Sequence, residues 1–96
     1  MKGYCLFDNV QVHDLEKLDA YKKQAAPLVE KFGGRYIILG GQFAVVEGSW
    51  KPTFVVMIEF PSYEKANQWY YSDEYRELKN LRLSAVDSNA IIIEGL

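Results

Sequence analysis

The stretch Thr53-Phe54-Val55-Val56-Met57-Ile58-Glu59-Phe60-Pro61 decides the fold. Apart from Glu59, every residue from Phe54 to Phe60 is apolar. A strand with one side in water alternates apolar and polar residues, whereas this one reads as covered above and below. Pro61 ends it, because proline cannot extend a central ladder. Tyr4 to Val12, Tyr36 to Leu39 and Ala90 to Ile93 read the same way.

Helical spacing fills two of the gaps between these runs. Leu15, Leu18, Tyr21, Ala25, Leu28 and Phe32 recur at helical intervals, which predicts a helix over 15–32 capped by Asp14 and closed by Gly33-Gly34. Pro27 lies inside that pattern and predicts a bend or break. Ser62 predicts the cap of a second helical region with Ala66, Trp69 and Tyr70 on its buried side. Ser72-Asp73 gives a second capping signal, so the region is one interrupted helix or two short ones, ending with Tyr75, Leu78, Arg82 and Ala85. Strands are predicted over 3–12, 35–39, 53–60 and 88–94. Gly40-Gly41 predicts a bulge or sharp bend before extended structure resumes over 42–46, and 47–52 is a loop by composition.

The order strand, helix, strand, strand, helix, strand fits one α+β domain spanning residues 1–96. Its leading topology is a ferredoxin-like βαββαβ sandwich with a four-stranded antiparallel sheet. Two amphipathic helices cover one face of such a sheet. The second apolar face then predicts a homodimer, self-complementary about a two-fold axis. At 96 residues the chain buries only about two-thirds of its unfolded surface alone, which adds to the need for a partner.

Composition excludes several roles. The net charge is −2 with no basic cluster, against nucleic-acid binding. No apolar run approaches the ~20 residues of a spanning helix, and Met1-Lys2-Gly3-Tyr4 leads straight into a strand with no signal-peptide core, so no membrane role is expected. Cys5 is the only cysteine, which rules out an internal disulfide, fits a cytoplasmic location, and reads as a buried, inert thiol. A single histidine, His13, reads as a loop residue and leaves no metal-ligand spacing, so no metal and no cofactor are expected. No nucleophile elbow occurs, and the glycine pairs precede strands rather than helix N-termini, so no phosphate cradle is expected. Seven tyrosines in so short a chain point to amphipathic surfaces, either a subunit interface or a pocket wall.

Candidate site residues follow from topology. The third strand lies between the first and second, so Tyr4, Arg35 and Glu59 approach one another at the strand ends. Glu59, a carboxylate in an apolar run, is either a general base or polar anchor oriented by Arg35, or one half of a structural ion pair. Trp69 and Tyr70 are adjacent on a helix and cannot both face the sheet; one is free to line a cleft, although core packing is the plainer role. Asn9 is a further polar candidate on the first strand. Trp50 is either a partner contact or a cover for the subunit edge. Arg82 interrupts an apolar stripe and is expected to pair with a carboxylate or a backbone carbonyl.

The motifs Gly40-Gly41-Gln42, Glu47-Gly48-Ser49-Trp50-Lys51-Pro52 and Glu59-Phe60-Pro61-Ser62, with Ala66, Trp69-Tyr70, Ser72, Glu74-Tyr75 and Arg82, carry a resemblance over nearly the whole chain. Together they resemble a family of short bacterial proteins known as domain of unknown function thirteen-thirty, within the dimeric α/β-barrel superfamily. The resemblance implies the ferredoxin-like fold and a dimer whose sheets close into a barrel, but no reaction. The wider superfamily includes cofactor-free monooxygenases, haem-degrading enzymes, isomerases and ligand-binding proteins, and fold alone does not choose among them. Asn9 and Trp69 fall near positions that haem-degrading members use, yet no histidine follows position 13 to serve as an axial ligand. The expectation is a homodimer that binds or transforms a small aromatic or carboxylated molecule between sheet and helices. Tyr4, Asn9, Arg35 and Glu59 would supply polar contacts, and Trp69 and Tyr70 the wall. The alternative is a non-catalytic structural module, or one that docks onto a partner through Trp50.

Overall fold

Three side-chain caps set where the helices begin. In the computed structural model, which describes residues 1–96, Asp14 accepts a hydrogen bond from the Lys17 amide at 3.0 Å, Ser62 from Lys65 at 3.1 Å and Ser72 from Tyr75 at 3.1 Å. Each satisfies one of the amide groups that a helix start leaves without a partner. The resulting order is β1 (Gly3–Val12), α1 (Leu15–Lys31), β2 (Arg35–Leu39), β3 (Val55–Phe60), α2 (Tyr63–Tyr70), α3 (Asp73–Ala85) and β4 (Val86–Glu94). The second helical region is therefore two helices, divided at Ser72. Pro27 lies inside α1 without breaking it. The carbonyl it leaves without a helical donor belongs to Lys23, on the exposed side of the helix, where water can satisfy it.

The strands form one antiparallel sheet in the order β2-β3-β1-β4, and the chain has the α+β, ferredoxin-like fold. Strand pairing settles which side chains share a face. Cys5 and Phe7 sit opposite Ile58 and Val56, and with Phe60 and Ile92 they point toward the helices. Tyr4, Leu6, Val55, Met57, Glu59, Ile91 and Ile93 occupy the other face, following the two-residue alternation of strands. No helix covers that side, and Ile91 and Ile93 remain 53% and 50% exposed.

The core is a cluster of 14 buried residues in which aromatic rings dominate. Trp69 is fully enclosed, with ring centroids 4.3 Å from Tyr75, 5.4 Å from Phe60 and 6.4 Å from Phe7. The Ser72 cap fixes where α3 starts and so seats Tyr75 against this ring. Gly3 permits the close approach of β1 to the start of α2. A Cβ there would lie 2.4 Å from the Ser62 carbonyl oxygen, which belongs to rigid backbone.

The segment after β2 departs from expectation. The bulge falls at Ile37, since Tyr36 and Ile38 pair with the adjacent residues Ile58 and Met57. Gly40, at φ +65°, closes the strand by donating its amide to Val55 at 2.7 Å. Residues 42–46 pair with no strand, and Phe43, Val45 and Val46 are exposed. No helix is long and apolar enough to cross a membrane.

Truncating Trp69 removes the hub of the aromatic core. Trp69→Ala is expected to lower the unfolding free energy by about 3–5 kcal/mol in urea titration. A loss under about 1 kcal/mol would contradict this packing.

Candidate functional site

The inner face of the sheet is not fully covered. The helical layer stops short of β2, whose five residues are all exposed, and a cleft opens between that edge and α1. Its floor is Phe7 and Asn9 of β1, Val56 and Ile58 of β3, and Phe54 just before it. Tyr36 and Leu39 of β2 form one wall, Leu18, Tyr21 and Lys22 of α1 the other, and Arg82 of α3 completes the lining. About 50 Å³ inside is open to the centre of a water-sized sphere. One water needs roughly 10–15 Å³ on that measure, so the enclosed part takes a few waters, and a ring fits only by extending through the open mouth.

The polar groups of this cleft are unusual for a core. Arg82 is only 3% exposed, yet none of the ion pairs of the chain includes it. Its Nη1 donates to Ser88 Oγ at 2.8 Å and its Nε makes a long contact to the Tyr75 hydroxyl at 3.4 Å. The guanidinium carbon lies 4.9 Å from the centre of the Phe7 ring. These partners are all neutral hydroxyls or a ring, so neither the carboxylate nor the backbone carbonyl expected for Arg82 is among them. The last turn of α3 offers a partial negative charge in its place. Burial is the largest single influence and works against the cation, but Tyr75, Tyr21 and Tyr70 together outweigh it, and the net shift is upward.

The phenols form a short chain. The Tyr21 and Tyr75 hydroxyls are 2.7 Å apart. Burial first, and then the neighbouring Tyr75, raises the Tyr21 pKa; burial also raises Tyr75 despite the lowering effect of Arg82. Tyr36 is pushed up to about 12, by burial and then by Tyr75. All three stay protonated at neutral pH and act as hydrogen-bond donors. Asn9 contributes a buried Oδ1 with no hydrogen-bond partner.

The six residues singled out from the sequence do not share this cleft. Asn9 alone lines it. Tyr4, Arg35 and Glu59 come together as the topology required, but on the open face of the sheet. There Arg35 Nε donates to Glu59 Oε1 at 3.1 Å, and Lys2 Nζ lies 3.9 Å from the same oxygen. Trp69 belongs to the core, with its Nε1 buried and without a partner. Tyr70 borders a separate depression with Tyr63, Tyr71 and Ile92, and Lys79 lies 4.5 Å from its ring centre. Cys5 is fully buried and its thiol is pushed up to about 12 by that burial, which makes it inert. A larger groove between α1 and α3 is shallow, and its Lys31 and Glu74 already pair with each other.

Sequence reasoning overlooked Tyr21, Tyr36 and Asp8 as functional groups. Asp8, 4% exposed, accepts from the Trp50 indole at 3.2 Å and the Thr53 amide at 3.0 Å. It thereby ties the loop before β3 to β1. An acid in the apolar run 4–12 was the available signal for it. Tyr21 and Tyr36 gave none, because tyrosine at helical or strand spacing reads as packing.

The family model described as Domain of unknown function (DUF1330) matches residues 2–96, and the chain belongs to that family. No curated protein matches the sequence. Among solved structures, a protein of unknown function from Rhodopseudomonas palustris is 21% identical and superposes with a TM-score of 0.75, over 99% of this chain and 82% of that one. An ethyl tert-butyl ether D (EthD) family protein from Bacillus halodurans is 18% identical, with a TM-score of 0.63 over 100% of both chains. SnoaB, a cofactor-independent oxygenase from Streptomyces nogalater, is 8% identical, with a TM-score of 0.64 over 99% of this chain and 91% of that one. At these identities the likeness is one of fold.

A buried cation without an acid partner contributes little to stability, and an apolar side chain of similar length often replaces such a group at no net cost. Arg82→Met should therefore remain within about 1 kcal/mol of the parent in urea unfolding. A loss of about 3–5 kcal/mol would identify the guanidinium as a structural keystone instead.

Proposed function

We propose that the chain forms a cytoplasmic homodimer, joined through the open faces of the two sheets, and that each subunit binds or transforms a small organic molecule in the cleft beneath β2. The observation that carries the ligand reading is an apolar cleft with a few convergent polar groups, one of which, Asn9 Oδ1, is buried and lacks a partner. Buried polar atoms are nearly always satisfied, so an orphan acceptor in a cavity wall favours a molecule that donates to it. The dimer reading rests on the apolar outer face, where Leu6, Met57, Ile91 and Ile93 lie side by side with no helix over them. Monomeric proteins rarely leave contiguous patches of this kind in water.

On this reading Glu59 is a structural acid. It pairs with Arg35 and Lys2 at the strand ends of the proposed interface and does not line the cleft. For any chemistry we favour a cofactor-independent reaction class, one that relies on hydrogen-bond donors around the substrate. SnoaB carries the description of such an oxygenase on a similar fold, which supports the class without naming a substrate for this chain.

A ligand that binds only the native state raises its apparent stability, by about 2.7 kcal/mol at a hundredfold excess over Kd. For a domain of this size that is a rise in Tm on the order of 10 °C. A thermal-shift screen of single-ring aromatic compounds should yield such rises, and Leu39→Trp at the lip of the cleft should abolish them. No shift across the series, or shifts unaffected by Leu39→Trp, would sink the cleft reading.

A further inference from the structure

We infer that Arg82 is the receptor for an anionic oxygen, so that the ligand of the cleft is a single-ring or enolic organic acid bound in its deprotonated form. This rests on the reading of the cleft as a ligand site and adds the charge and chemical class of what it holds.

Charge balance is the first argument. The lining includes two cations, Arg82 and Lys22, and no carboxylate. An exposed lysine at a rim, 5.8 Å from the Phe54 ring centre, means little, but a guanidinium 3% exposed means more. Taking a cation out of water costs several kcal/mol unless a counter-charge is supplied. Elsewhere this chain supplies one: Arg35 meets Glu59, Arg76 meets Asp73 and Lys31 meets Glu74, all nearer the surface. Arg82, the most buried cation of these, has only hydroxyls and a ring face. An anionic ligand would provide the missing charge.

Donor geometry is the second argument. Nε and Nη1 are directed to Tyr75 and Ser88, which fixes the plane of the guanidinium, while Nη2 has no partner in the protein. Arginine only donates, so the Tyr75 oxygen accepts from it. Either phenol can donate across the 2.7 Å contact between Tyr75 and Tyr21, and the arrangement that serves a ligand is the one in which Tyr75 donates. In that arrangement Tyr21, which lines the cleft, has its proton free for a ligand. A cation thus backs two phenols in series, and polarisation along such a chain strengthens its terminal donor. Donors aimed at one place in a water-poor cleft favour an oxyanion over a neutral group.

Shape and the remaining acceptor complete the class. Leu18, Leu39, Phe54, Val56 and Ile58 offer an apolar bed, and so small an enclosed space admits at most one ring, the rest of which lies in the open mouth of the cleft. Asn9 Oδ1 requires a donor, which a hydroxyl elsewhere on the acid would supply. A hydroxylated single-ring carboxylate satisfies every group described.

Calorimetric titration of the purified protein with 4-hydroxybenzoate, benzoate and the neutral benzamide at pH 7 tests the inference. The two acids should bind at least tenfold more tightly than benzamide. Arg82→Met should remove that preference by weakening the two acids at least tenfold more than it weakens benzamide. If Arg82→Met does not fold, Tyr21→Phe serves instead and should weaken the acids severalfold more than it weakens benzamide, while Tyr75 retains its bond to Arg82. Equal affinity for acid and amide, or a preference that survives these variants, overturns the receptor role while the cleft remains a ligand site. Absence of binding by all three compounds overturns the receptor role as well. If neutral single-ring compounds then also fail to shift the melting curve, the cleft reading falls with it.

Discussion

The helices of this protein lie on one side of its sheet, and much else follows from that one-sidedness. Cys5, Phe7, Ile58 and Phe60 are enclosed because α2 and α3 lie over β1, β3 and β4. Their neighbours along the same strands point away from any helix. Strand geometry permits no compromise, because consecutive side chains must take opposite faces. A strand such as Val55–Phe60, apolar at nearly every position, therefore commits half its side chains to a surface the chain itself cannot cover. Paired sheets in a homodimer are the simplest resolution, and the dimer we propose follows from this constraint rather than from any specific contact.

The same shortage of helical cover shapes the interior. Three short helices do not reach the β2 edge, and the gap they leave is the cleft. Its floor is as apolar as the core, but its back wall holds the most expensive group in the molecule. A guanidinium among tyrosines adds little to folding and constrains what the cavity can accept. Local departures from the best choice for stability are expected where function sets the residue. Trp69 and Tyr75 connect the two regions: one face of Tyr75 stacks on the tryptophan that fills the core, and its hydroxyl meets both Arg82 and Tyr21.

Much of the fold was legible in the residues. Asp14, Ser62 and Ser72 cap their helices as their chemistry demands, and the apolar runs pair in the order that short connections impose. The misreadings have physical reasons. Pro27 was expected to disturb α1, but a proline on the solvent side leaves its orphan carbonyl to water. The sharp bend read at Gly40-Gly41 is present, with Gly40 at positive φ, whereas the register slip at Ile37 carried no glycine to mark it. Residues 42–46, read as extended, join no ladder, because β-propensity says nothing about whether a partner strand is available. For the site, topology correctly brought Tyr4, Arg35 and Glu59 together. It could not tell which face they would take, since a one-residue change of register reverses the faces. Arg82 drew attention as a charge in an apolar stripe. Its lack of an acid partner became visible only once residues 54 positions apart, Tyr21 and Tyr75, were seen to share one hydrogen bond.

Sedimentation equilibrium over a range of micromolar concentrations tests the central claim most directly. The account predicts a particle of twice the 11.1 kDa chain mass, which dissociates and loses stability when Ile91 on the open face is changed to lysine. A folded species of single-chain mass throughout that range, equally stable with and without the lysine, would contradict it.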